Sequence, residues 1–382
     1  MPPASLQTLV GRFDAALLPL KHEVRVRLVV DDDGSWDAVL SPGGARLEEK
    51  RGDADARLTA DRATWGRIAR DVRGGMDAFR SRRLTVRKNL HLGVGFLAAT
   101  SAMTEPGRLR FQTVATKRHD LSVLEAGTGP AVVTLHGLGA TKASFLPTVA
   151  ALAPQFRVIA VDLPGFGDSD KPVGAPYDAR YFAEAAVELL DALGLDRAHV
   201  VGNSLGGRVA LELGLRAPER VGRLALLAPS MAWRRARPWA PMLRLVRPEL
   251  GVLPHAPRAV VERLVDRLIP AARDGWAAAG IDEFLRSFET PRGRAAFYAA
   301  ARQIYLEEPE GENGFWPRLR TLSVDSLWVW GRRDQLVPLA FARHVTDALP
   351  RASHLELDCG HVPQLELPRE THAAIARFFG VV

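Results

Sequence analysis

Ser204 stands in the segment Val200-Val201-Gly202-Asn203-Ser204-Leu205-Gly206-Gly207-Arg208, with glycine two residues away on either side. An apolar run precedes the segment, and residues 209–215 follow with helical character. This is the setting of a serine on a sharp strand-to-helix turn, where the glycines remove side chains that would collide with neighbouring backbone. Such a turn lifts the hydroxyl above a sheet and puts a helix N-terminus beneath it. A serine hydroxyl is a poor nucleophile alone, so its chemistry needs a base and a group that orients the base. Residue types that supply both occur late in the chain. Asp334 follows the apolar run 327–329, and His361 lies in Asp358-Cys359-Gly360-His361-Val362-Pro363-Gln364.

Four segments in this order resemble the α/β-hydrolases, and the resemblance runs from Leu109 to the end of the chain. They are His136-Gly137-Leu138-Gly139, Asp162-Leu163-Pro164-Gly165-Phe166-Gly167-Asp168-Ser169, the Gly-x-Ser-x-Gly turn at Ser204, and Trp330-Gly331-Arg332-Arg333-Asp334 with the later His361. The resemblance implies Ser204 as nucleophile, Asp334 as triad acid and His361 as base, in the chain order of that family. It also implies an oxyanion hole from the backbone N–H groups of Leu138 and Leu205. His136 and the turn 162–170 are expected to be scaffold. The other histidines are expected to be surface or packing residues, and nothing marks Cys359 as a nucleophile. No cofactor is expected, and no metal-ligand cluster is legible.

The elements that must hold these residues fall into two halves. From about residue 109, apolar runs at 131–135, 157–161, 199–201, 224–227 and 327–329 read as buried parallel strands. Helical patterns lie between them, as at 181–193. Strands alternating with helices imply a doubly wound, mostly parallel sheet covered on both sides. An insertion at about 230–322, with helical spacing at 260–268 and 281–288, is expected to be a helical cap that shapes the substrate pocket.

The first hundred residues read instead as a small α+β unit. A helical stripe of Leu6, Leu9, Val10 and Phe13 precedes the alternation of Val24, Val26, Leu28 and Val30. Short strands follow at 36–40, 45–50, 56–59 and 84–86, with Asp61 placed to cap a helix ending near Arg70. The segments Ala56-Arg57-Leu58-Thr59-Ala60-Asp61, Gly75-Met76-Asp77-Ala78-Phe79-Arg80-Ser81 and Leu84-Thr85-Val86-Arg87-Lys88-Asn89-Leu90 resemble the sterol-carrier-protein-2 family. That resemblance implies an apolar tunnel for lipid or acyl chains. The expected division is 1–105 for the carrier-like unit and 106–382 for the hydrolase-like unit, joined through a linker at 103–109.

Composition narrows the functional class. The chain has 382 residues, 47% hydrophobic and 25% charged, as an ordinary folded protein does. Its net charge of +7 comes with no recognisable nucleic-acid module. A single cysteine excludes an internal disulfide. No signal-peptide pattern or spanning stretch is legible, so a cytoplasmic protein is expected. The Trp-Arg mixture from Met231 to Trp239 suits either a peripheral membrane contact or a cap with outward arginines. Oligomeric state is not legible.

The leading expectation is an esterase or lipase-like serine hydrolase acting on apolar or lipid-like substrates. A carbon–carbon hydrolase of aromatic ring-fission products is the alternative, and Gly202-Asn203-Ser204 with Cys359-Gly360-His361 resembles those enzymes too. The same triad would also serve a haloperoxidase-like or acyltransferase activity. A non-catalytic lipid-binding protein is the reading outside enzymes.

Overall fold

The structure, a computed structural model, describes residues 1–382 apart from 32, 71–77, 79–80, 82, 102–107, 234–241, 243–244, 246–256, 269–275 and 381–382. Several expectations fall on those positions: most of the 75–81 segment, the linker with the 105/106 boundary, and most of the Trp-Arg stretch.

The N-terminal unit is a five-stranded sheet with helices. After α1 (Ala4–Val10) come β1 (Val24–Val30), β2 (Gly34–Ser41), β3 (Gly44–Glu49), β4 (Ala56–Ala60), α2 (Arg62–Arg70), β5 (Leu84–Arg87) and α3 (Leu90–Ala99). The strand order is β3-β2-β1-β4-β5, with β1 and β4 parallel and the other pairs antiparallel. On β1 the expected alternation holds, with Val26, Leu28 and Val30 buried. Asp61 caps α2, accepting from the Thr64 N–H at 2.7 Å and its hydroxyl at 2.9 Å.

Among the described residues the second unit is built on eight strands: β6 (Arg110–Ala115), β7 (Asp120–Ala126), β8 (Ala131–Leu135), β9 (Arg157–Val161), β10 (Ala198–Asn203), β11 (Val221–Leu227), β12 (Ser326–Gly331) and β13 (Ser353–Leu357). Their order is β13-β12-β11-β10-β8-β9-β7-β6; β7 pairs antiparallel with both β9 and β6, and the other pairs are parallel. The helices are α4 (Leu146–Leu152), α5 (Ala179–Ala192), α6 (Leu205–Arg216), α7 (Arg258–Leu268), α8 (Trp276–Phe288), α9 (Pro291–Leu306), α10 (Phe315–Leu319), α11 (Phe341–Ala348), α12 (Pro363–Glu366) and α13 (Pro368–Phe379). Of these, α7, α8, α9 and α10 fall within the insertion between β11 and β12. No described helix is long and apolar enough to cross a membrane.

One helix ties the two units together. Every residue of α3 except His91 is buried, and a helix that is apolar all round needs cover all round. On one side Gly93 and Gly95 let it approach Val86, Leu58 and Leu18 of the N-terminal unit. On the other, Leu90 and Val94 face Phe111, Leu124 and Leu146 of the second unit. Residues of both units therefore share one hydrophobic core.

Candidate active site

The parallel strands deliver the candidate residues to their C-terminal ends, where open α/β sheets bind ligands. Ser204 follows β10 and caps α6 with φ 52° and ψ −114°. A non-glycine residue held at positive φ stores about 1–3 kcal/mol of strain, and such strain clusters at functional turns. Two glycines make the turn possible. A β-carbon on Gly202 would stand 2.3 Å from the Gly206 carbonyl oxygen, and one on Gly206 would stand 1.9 Å from that of Leu135. Backbone bonds lock the rest: the Ser204 N–H donates to Leu227 at 3.0 Å, and the Ser230 N–H donates to the Ser204 carbonyl at 3.0 Å.

Asp334 follows β12 and His361 follows β13. Both are buried, and His361 Nδ1 lies 2.8 Å from Asp334 Oδ2. The other carboxylate oxygen, Oδ1, accepts from the backbone N–H groups of Leu336 at 2.8 Å and Val337 at 3.0 Å. An ionised carboxylate accepts only, so Nδ1 carries the proton and Nε2 keeps its lone pair. The loop bearing His361 is fastened to the elbow by Asn203, whose amide donates to the His361 carbonyl at 3.1 Å and to Leu227 at 2.9 Å.

The loop after β8 comes close to the same serine. A β-carbon on Gly137 would stand 3.4 Å from the Ser204 β-carbon, which brings the following Leu138 to the elbow. Leu205 is the first residue of α6, so its N–H has no acceptor within the helix. His136 is fully buried; its Nε2 accepts from the Leu163 N–H at 3.0 Å and its Nδ1 donates to the Gly137 carbonyl at 2.8 Å. Burial holds this imidazole below its usual pKa, so it stays a neutral brace. Cys359 is buried too, and burial pushes its thiol up to about 12, far from a reactive thiolate.

The turn 162–170 has an electrostatic role that its sequence did not disclose. Asp162 and Lys142 are both buried, with Lys142 Nζ 2.5 Å and Lys142 N 2.7 Å from the carboxylate. Burial pushes the Asp162 carboxyl up, but the Lys142 ammonium outweighs it and holds the group below the usual range. Lys142 follows His136-Gly137-Leu138-Gly139 by three residues, so the pair anchors the far end of that loop. Asn203 and Lys142 are the site residues that sequence reasoning missed. Asn203 was visible inside the elbow motif, whereas nothing local pointed Lys142 at Asp162.

Comparison with known proteins places the chain in a family. Residues 130–368 match the model described as "alpha/beta hydrolase fold", and residues 13–98 match "SCP-2 sterol transfer family". A 2-hydroxymuconate semialdehyde hydrolase of Pseudomonas sp. (strain CF600) is 32% identical over 70% of this chain and 89% of its own. A 2-hydroxy-6-oxononadienedioate/2-hydroxy-6-oxononatrienedioate hydrolase of Cupriavidus pinatubonensis is 29% identical over 74% of this chain and 99% of its own. Among solved structures, a membrane phospholipase A described as a bacterial virulence factor aligns with a TM-score of 0.58 and 29% identity, covering 71% of this chain and 85% of that one. The chain belongs to the α/β-hydrolase fold family and carries an SCP2 domain at its N-terminus.

Proposed function

We propose that the chain is a serine hydrolase that works through an acyl-enzyme, with Ser204 as nucleophile, His361 as general base and acid, and Asp334 as its orienting carboxylate. The observation that carries this reading is the 2.8 Å bond from His361 Nδ1 to Asp334, in a loop that Asn203 fastens to the strained turn of Ser204. His361 Nε2 takes the hydroxyl proton as the Ser204 oxygen attacks a carbonyl carbon. The oxyanion that forms is met by the N–H groups of Leu138 and Leu205, each donor contributing about 3 kcal/mol to the transition state. Collapse expels the leaving group, which takes the proton from His361, and water then releases the acid by the same steps in reverse.

The substrate we propose is a carboxylic ester of an apolar or lipid-like molecule. The SCP2 domain and the likeness to a phospholipase A support it. The named curated relatives favour a second reading, a carbon–carbon hydrolase of ring-fission products. The two are separated by a panel of p-nitrophenyl esters from acetyl to palmitoyl beside a ring-fission dienone. Ester turnover with an optimum beyond acetyl supports the first reading. Dienone cleavage with ester turnover negligible beside it replaces the first with the second.

A further inference from the structure

The N-terminal unit grips the insertion as well as the main sheet. Asp282, on α8, is buried and receives the end of β5. Arg87 donates to it through Nε at 2.8 Å and Nη2 at 3.3 Å, and the Lys88 N–H donates at 2.8 Å. Arg258 on α7 completes the cluster at 2.6 Å. Burial pushes the Asp282 carboxyl up, but these donors outweigh it and keep it ionised below the usual range. One turn further along α8, Arg286 donates to Asp168 at 2.8 Å, and His91 of α3 lies 3.2 Å from the same carboxylate. The helix α8 is thus held by the N-terminal unit and by the turn after β9.

Between these two anchors lies Phe284. A β-carbon on Gly139, in the loop that carries Leu138, would stand 2.8 Å from the Phe284 ring and 3.0 Å from that of Phe297. Gly139 has φ +75°, so neither its conformation nor its space admits a side chain without strain. Phe284 stacks on Phe288 with ring centroids 5.0 Å apart and meets Phe297 edge-on at 5.4 Å. An aromatic wall therefore leans on the proposed oxyanion loop, and its position depends on where α8 is held.

We propose that Asp282 is a positioning residue through which the SCP2 domain sets substrate selection: by clamping α8 to β5 it holds Phe284 against Gly139 and so fixes the wall beside the oxyanion loop. The inference rests on the serine-hydrolase reading for its kinetic consequence, while the clamp itself stands on geometry alone. On this view the N-terminal unit serves the reaction as a fixed brace, consistent with the core it shares through α3.

The test compares Asp282→Asn, Arg87→Gln and Arg87→Lys in the full chain, by hydrogen exchange and by kinetics on p-nitrophenyl acetate and decanoate. Losing a charge-assisted contact shifts a held-to-released equilibrium by about tenfold or more. Exchange across 276–288 is therefore expected to accelerate by about that factor in Asp282→Asn and Arg87→Gln, while β8 and β10 keep their protection. The KM for decanoate rises with kcat held, acetate kinetics stay unchanged, and Arg87→Lys recovers much of the loss. Unchanged exchange at 276–288 overturns the clamp. Faster exchange with unaltered decanoate kinetics overturns its role in selection. If the wild type turns over neither esters nor the dienone, the hydrolase reading fails, the selection role falls with it, and exchange alone decides the clamp.

Discussion

The side-chain amide of Asn203 reaches across the site to the backbone carbonyl of His361, so the residue beside the elbow serine also sets the height of the histidine loop. The same amide satisfies Leu227 at the end of the neighbouring strand. One side chain thus bridges carbonyls on two separate elements, of which that of Leu227 also accepts from the Ser204 N–H. In Asn203→Ala the His361 carbonyl loses its side-chain donor, at about 1–3 kcal/mol for a buried group left unpaired, while the Leu227 carbonyl keeps the Ser204 N–H. The expected result is a fall in kcat of tenfold or more, with KM nearly unchanged. Steady-state kinetics beside a thermal melt check it, because a drop in Tm without a drop in kcat removes Asn203 from the positioning of His361.

Asp334→Asn tests the tautomer directly. The two backbone N–H groups on Oδ1 will hold the amide oxygen of an asparagine there and turn its NH2 toward His361 Nδ1. That NH2 donates, so Nδ1 must accept and the ring proton moves to Nε2. The base then has no lone pair for Ser204, and kcat is expected to fall by about ten-thousandfold with the fold intact. Retention of most activity contradicts the assignment of Asp334.

Acid stability has a marker in Glu212, which is almost wholly buried on α6. Burial pushes this carboxyl up, but the charge of Arg208 and bonds from Arg318 and Arg216 outweigh it and hold the group at about 2. The folded pKa is thus below the unfolded one, and the linked stability is present above about 4.5 and lost as pH falls toward 2. Urea midpoints measured from pH 5 down should fall less steeply in Glu212→Gln than in the wild type. Parallel slopes would mean that Glu212 titrates alike in both states.

How much of this was legible depended on the distance over which each signal acts. The buried strands β8 to β12 announced themselves as apolar runs, and the elbow as a glycine pattern whose cause is local collision. Asp334 and His361 were found through resemblance, which supplied the chain order that physics alone leaves open. The edge strands of the eight-stranded sheet, β6 and β13, were not anticipated. Among them β13, Ser353–Leu357, is half-exposed and carries no apolar run. The clamp was beyond reach, since Arg87 and Asp282 are 195 residues apart and only the folded chain makes them neighbours. The turn 162–170 was expected as scaffold. Its buried ion pair with Lys142 was hidden, because a lysine in a sequence reads as a surface residue.

The decisive measurement is turnover of the best substrate in the ester and dienone panel by wild type and Ser204→Ala. Replacing a triad serine removes about a million-fold of kcat when it is the nucleophile. A loss of that order is expected, with the melting curve of the variant close to that of the wild type. A variant that keeps activity within tenfold of the wild type would contradict it, and would move the chemistry away from the elbow altogether.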